Sequence, residues 1–287
     1  MSTRSYDLTS IYYKIMASIH HKFAVAAASV PLSLVLSASV NAASILGVSY
    51  EGDVIKIDQN TGVGTTIDSS GFFGLNSLAD DSSGRFFSVT DPDASELLVG
   101  IEPETGSGSR VVNLLLGEGV SVRGLAFSPS DVLFAVTDNV LGNDQSELYT
   151  IDINTGIGTL IGSTEAGIQG LAFSPNGTLY GWNVGSVGLV TIDPLTGLAT
   201  DINENVGGSA NIQTIAFAPD GTLFGAHDSL FTIDPTTGIS AVIGSGDYED
   251  VRGIGFVLED EPKSIPEPTS VLALLALLVG VKVTKVL

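Results

Sequence analysis

The chain has 287 residues, with 32 acidic against 11 basic side chains and a formal net charge of −21 at neutral pH. So acidic a chain speaks against nucleic acid as a partner, because binding a phosphate backbone needs a cationic face. There is no cysteine, which excludes disulfides, zinc–thiolate centres and a thiol nucleophile.

In chain order, the first expected element is a signal peptide over residues 1–42. His20, His21 and Lys22 precede an apolar stretch from Phe23 through Leu36. Small residues in Val40-Asn41-Ala42-Ala43 suit cleavage by signal peptidase after Ala42. The leader before the apolar stretch is long, and a start at Met16 gives a conventional length. A retained membrane anchor is the alternative for this segment.

From Ile45 onward one module recurs five times. One half is a strand ending in Ile-Asp, a tight turn and a second strand, as in Ile57-Asp58-Gln59-Asn60-Thr61-Gly62 and Ile233-Asp234-Pro235-Thr236-Thr237-Gly238. The other half reads Gly170-Leu171-Ala172-Phe173-Ser174-Pro175-Asn176-Gly177, echoed from Gly124, from Thr214 and, degraded, from Ser77. The Thr-Gly pairs are 44, 50, 41 and 41 residues apart, a spacing that suits one four-stranded propeller blade per repeat. Short β-branched and aromatic runs bounded by Gly, Pro, Asn and Asp read as strands. The repeated aspartates read first as turn formers, because Asp bonds the backbone two residues on and Gly supplies the positive φ.

The phase of the repeat predicts how the ring closes. Ile45-Leu46-Gly47-Val48 matches the second strand of a blade, and Gly253-Ile254-Gly255-Phe256-Val257 matches the first. The last segment is therefore expected to complete the first blade, which removes free sheet edges at the seam. The expected fold class is all-β, a five-bladed β-propeller over residues 43–258. A propeller of this size can bury an adequate core without disulfides. An open repeat array would need capping units, and none is evident.

Sequence variety concentrates in the loops opposite the tight turns, the usual place for recognition on a rigid scaffold. Just before the innermost strand each repeat carries a long polar side chain: Asn76, Arg123, Gln169, Gln213 and Arg252. After the second strand each carries a hydrogen-bonding residue, among them Thr137, Asn183 and His227. With Trp182 and Tyr248 nearby, these residues form a candidate ring at the channel mouth for a carbohydrate or small anion. The structural alternative is that they satisfy backbone carbonyls and loop carboxylates. Asp91, Asp138 and Asp228 are candidate calcium ligands within an acidic rim that also holds Asp247 and Asp250, although no Asp-x-Asp-x-Asp-Gly loop supports them. His227 is the only histidine after the signal peptide, and no serine is marked as its partner for a triad.

Beyond the repeats, residues 259–270 form an acidic, proline-bearing linker, and residues 271–287 an apolar helix with a basic end. Pro266-Glu267-Pro268, then the apolar run Val271 to Val281, then Lys282 and Lys285, resembles the PEP-CTERM sorting signal. That resemblance implies a bacterial envelope protein recognised by an exosortase, of a kind often associated with extracellular polysaccharide, with membrane contact through the C-terminal transmembrane helix. The apolar run is shorter than the roughly 20 residues of a bilayer span. Two spaced lysines also stand in place of a tight basic cluster. The expected function is a non-enzymatic, exported binding or scaffold protein of the cell surface or polysaccharide matrix, needing no cofactor unless calcium. The alternative is a propeller hydrolase or lactonase with a metal-assisted site at the channel mouth, and fold alone does not choose between them.

Overall fold

A computed structural model describes residues 43–90, 96–117, 120–139, 145–184, 188–204, 206 and 211–258. The residues of the expected signal peptide, linker and apolar helix (1–42 and 259–287, with Pro266, Glu267 and Pro268 among them) and Asp91 lie outside the described residues. Among the described residues the elements are strands, β1 to β20, grouped in five four-stranded antiparallel sheets.

The first blade holds β1 (Ala43–Ser49), β2 (Asp53–Ile57) and β3 (Gly64–Ser69). Its innermost strand is the last among the described residues, β20 (Val251–Leu258), paired with β1 from Ala43↔Leu258 to Ser49↔Val251. Blade 2 runs outward from β4 (Leu75–Asp80) through β5 (Phe86–Thr90) and β6 (Leu97–Ile101) to β7 (Gly108–Asn113). Blade 3 comprises β8 (Val120–Phe127), β9 (Leu133–Asn139), β10 (Glu147–Ile151) and β11 (Gly158–Ser163). Blade 4 comprises β12 (Ile168–Phe173), β13 (Leu179–Asn183), β14 (Gly188–Ile192) and β15 (Ala199–Asp201). Blade 5 comprises β16 (Thr214–Phe217), β17 (Leu223–Ala226), β18 (Leu230–Ile233) and β19 (Ser240–Gly244). The innermost strands touch in the cyclic order β20, β4, β8, β12, β16 and back to β20. The protein is thus a closed five-bladed β-propeller, its ring completed by the C-terminal strand.

The core is five apolar clusters, one between each pair of adjacent blades. The inner strands face a neighbour on both sides, so their apolar runs are continuous. The outermost strands carry exposed residues instead. Four seams share one device, an aromatic from an innermost strand against an aromatic from the second strand of the preceding blade. The pairs are Phe87–Phe127, Phe134–Phe173, Tyr180–Phe217 and Phe224–Phe256, with ring centroids 5.2 to 5.6 Å apart. In the fifth seam, between blades 1 and 2, the equivalent positions hold Leu46 and Asp80.

The Asp-x-x-Thr-Gly turns do more than reverse the chain. In four of them the carboxylate accepts the N–H two residues on, at 2.8 to 2.9 Å from Asn60, Asn154, Leu195 and Thr236. These backbone donors hold Asp58, Asp152, Asp193 and Asp234 below the ordinary carboxylate pKa. The glycine N–H then closes a wider turn onto the carbonyl four residues back, as in Gly156 to Asp152 at 2.7 Å. Several turns also seat against the preceding blade. Gly62 abuts Gly244, Gly156 abuts Asn113 and Gly197 abuts Gly162, each so closely that a Cβ would strike backbone.

Candidate functional site

The structure joins part of the expected ring. Over blades 5 and 1, the segment entering β16 supplies Asn211 and Gln213, the end of β17 supplies His227 and Asp228, and the entry to β20 supplies Asp250 and Arg252. His227 Nε2 lies 2.9 Å from Asp250 Oδ1 and 3.0 Å from Gln213 Nε2. Its Nδ1 lies 2.7 Å from Asn211 Nδ2 and 3.2 Å from Asp228 Oδ1. With Nε2–H donating to Asp250, Nδ1 is left to accept from Asn211. Arg252 grips Asp250 with both Nε and Nη2, the latter at 3.2 Å, in a two-point geometry that fixes both groups. Burial raises the Asp250 carboxyl, but hydrogen bonds from Arg252 and His227 more than offset it and hold the pKa below the ordinary value.

The backbone at Asp250 is left-handed, with φ of 51°, a conformation rare for a side chain with Cβ. It is over-determined: Asp250 N–H donates to Asp228 Oδ1 at 3.1 Å and its carbonyl accepts from Tyr50 N–H at 3.0 Å. The Arg252 guanidinium stacks over the Tyr50 ring at 5.0 Å, and Tyr50 meets the edge of Phe73 at 5.1 Å. Phe73 is 60% exposed. Tyr248 is buried in the apolar cluster between blades 5 and 1, its hydroxyl without a hydrogen bond among the described residues. Burial and the nearby Asp228 charge push its pKa up to about 12.

The other expected ring members stand elsewhere. Arg123 faces Asp138, with Nε 3.4 Å from Oδ2, on blade 3. Gln169 is half-buried on blade 4. Asn76 is 2% exposed, and its Nδ2 has no partner among the described residues. Trp182 is fully buried in the cluster between blades 4 and 5, with Leu189 and Ile212, so it is a core residue and offers no face at the mouth. Strand alternation carries the reason: Trp182 is two residues from Tyr180 and shares its side of the sheet. Asp138 and Asp228 do not converge. Among the described residues no three His, Asp or Glu side chains are grouped to hold a metal ion.

The central channel contains a group the repeat comparison makes visible. A cavity of about 150 Å³ is lined by Ala79, Ala126, Ala172 and Ala216, by their neighbours, and by Asp80. Asp80 stands where the other blades have Phe127, Phe173, Phe217 and Phe256, and Gly255 stands where they have alanine. A Cβ at Gly255 would come 3.4 Å from Asp80 Oδ1, so the missing methyl adjoins the misplaced carboxylate. Channel water reaches Asp80, yet protein crowds its other sides, and burial with the Asp81 charge beside it raises its pKa to about 6. Asp81 is itself tied to Arg85 at 2.5 Å.

A carboxyl whose folded pKa exceeds its unfolded value of 3.8 disfavours folding above pH 6, and the penalty fades as the pH falls through that value. Such a shift amounts to about 3 kcal/mol in a dry site, and channel water reduces it to about 1 kcal/mol. Asp80→Leu is therefore expected to raise the urea midpoint at pH 7.5, with the gap to the unaltered chain narrowing at pH 5. Equal gaps at both pH values would show that Asp80 carries no such penalty.

No family model matches the chain, and no curated protein matches it in sequence. Solved structures match its fold. One is a symmetrical protein described in terms of de novo evolutionary emergence, with TM-score 0.51, 21% identity, and 76% of this chain and 100% of that chain covered. A chain of a nidogen/laminin complex aligns with TM-score 0.56 and 11% identity over 76% of this chain and 99% of that one. A gluconolactonase from Xanthomonas campestris aligns at TM-score 0.47 and 13% identity, over 70% and 76% of the two chains. At these identities the likeness is one of fold, and the third, below 0.5, carries no argument about chemistry.

Proposed function

We propose that the chain is an exported, non-enzymatic binding protein that holds a polar glycan of the cell envelope or its polysaccharide matrix at the loop-face mouth over blades 5 and 1. One observation carries this reading: Gln213, His227, Asp250 and Arg252 converge beside the Tyr50 and Phe73 rings. A sugar offers hydroxyls that pair with fixed donors and acceptors, and apolar C–H faces that pack on aromatic rings. Both His227 nitrogens are already engaged, and among the described residues no serine or threonine hydroxyl bonds to them, which favours binding over acyl transfer. Residues 1–42 support export and Pro266-Glu267-Pro268 supports sorting by an exosortase-type enzyme, with the polysaccharide surroundings that implies.

The test is a glycan array probed with the purified chain, with and without calcium. A saturable hit is expected, weakened about 10-fold by Arg252→Ala, equivalent to about 1.4 kcal/mol, and little changed by Arg123→Ala on blade 3. A blank array, or a hit indifferent to Arg252→Ala, would remove this site. Turnover of a sugar lactone by the purified chain would replace the binding reading with the hydrolase one.

A further inference from the structure

On the turn face, at the opposite end of the channel from the glycan site, a groove of about 280 Å³ opens between blades 4 and 5. Its walls are Tyr180 and Phe217, tilted against each other with ring centroids 5.2 Å apart, with Pro175, Pro219 and Pro235 around them and Asp220 on the rim. Between blades 2 and 3 the corresponding turns are tied shut, Ser82 N–H and Oγ–H donating to Asp131 at 2.9 and 2.5 Å. Between blades 4 and 5 the turn side chains serve their own loops. Asp220 accepts from Thr222 N–H at 2.9 Å, and Asn176 accepts from Ser174 Oγ–H and Thr178 N–H. What remains to face the groove is aromatic and pyrrolidine surface.

We propose that this groove is a docking site for the chain's own proline-bearing segment, residues 261–268. The first argument is where that segment starts. β20 ends at Leu258 on this same face, and Phe256, two residues earlier, packs in one cluster with Ala218, the neighbour of Pro219 in the groove wall. The ten residues from Leu258 to Pro268 reach at most about 36 Å, which takes the chain from there across blade 5. The second argument is chemistry. Pro262, Pro266 and Pro268 have no N–H to leave unpaired, and proline-rich segments dock in shallow aromatic grooves in their preferred extended form. Ile265 adds apolar surface. The third is tethering. A short linker gives an effective concentration in the millimolar range, so docking too weak to hold a free peptide is populated within one chain.

Docking would cover Lys263, which makes trypsin a direct probe. The full chain is digested in detergent, and cleavage after Lys263 is timed by mass spectrometry. The comparison is the double variant Pro175→Glu/Pro219→Glu, which charges two exposed wall residues that donate no hydrogen bond. Thermal unfolding of both chains confirms that the variant folds. If the segment docks at millimolar effective concentration, cleavage in the variant is about 3- to 10-fold faster. A free peptide of residues 261–270 at several millimolar should also speed cleavage in the unaltered chain and leave the variant unchanged. Equal rates in the two chains would overturn the proposal. Protection that vanishes on dilution would overturn it too, since the occupant would then be the tail of a second copy.

Discussion

Removing β20, by ending the chain at Asp250 rather than at Leu258, is expected to abolish cooperative unfolding of the whole propeller, although only one strand separates the two chains. β20 pairs with β1 over Ala43 to Ser49 and is the innermost strand of blade 1. It also contacts β4 and β16, so it belongs to two seams. Val251, Ile254 and Phe256 are all nearly fully buried. Each such side chain contributes about 1.5–3 kcal/mol by burial. Their sum and the lost ladder approach the 5–15 kcal/mol that holds a whole domain together. A circular permutant placing residues 251–258 before Ala43, joined to Ala43 by a two-residue Asn-Gly turn, should restore a single sharp transition. Antiparallel neighbours whose ends meet at Ala43↔Leu258 accept such a hairpin. A sharp unfolding transition in the truncated chain would show that the ring does not depend on its closing strand.

Gly156→Ala should be among the most damaging single substitutions, at about 3–4 kcal/mol from overpacking added to a left-handed backbone. Gly156 has φ of 74°, and its Cβ would sit 2.0 Å from the Asn113 carbonyl oxygen of the preceding blade. The turn cannot retreat cheaply. Leu115 N–H donates to the Gly156 carbonyl at 2.8 Å, Gly158 N–H donates back to Leu115, and Leu115 and Ile157 form a parallel bridge. Gly221→Ala is the internal control, because Gly221 has φ of 89° and nothing within 4 Å of its Cβ position. It should cost about 1 kcal/mol, the backbone share alone. Denaturant midpoints of the two variants, measured side by side, separate turn conformation from seam contact. Equal losses would mean that the repeated glycine serves the turn only.

The seam between blades 1 and 2 illustrates how far an internal repeat can be read. Aligning the five modules places Asp80 against four phenylalanines without any coordinates. What the alignment does not give is its consequence, because the raised pKa depends on burial beside the channel and on the neighbouring Asp81 charge. The ring at the mouth shows the converse. Five equivalent positions were legible, yet only Gln213 and Arg252 join His227, while Arg123 serves Asp138 and Asn76 is buried. Residues related by five-fold repetition stand on five separate blades. Which of them meet is decided by loop conformation, above all by the left-handed Asp250 that turns its carboxylate between Arg252 and His227.

By itself the sequence determined the architecture: the repeat length, the turn chemistry and the phase that returns the last strand to the first blade. These follow from local rules, namely strand alternation, the φ preferences of glycine and proline, and a hydrogen bond spanning two or three residues. The tertiary structure alone decided which polar groups converge at the mouth, that Trp182 is core, and that the turn glycines lock one blade onto the next. Those outcomes depend on distances between residues that lie far apart in the chain, which sequence periodicity does not encode.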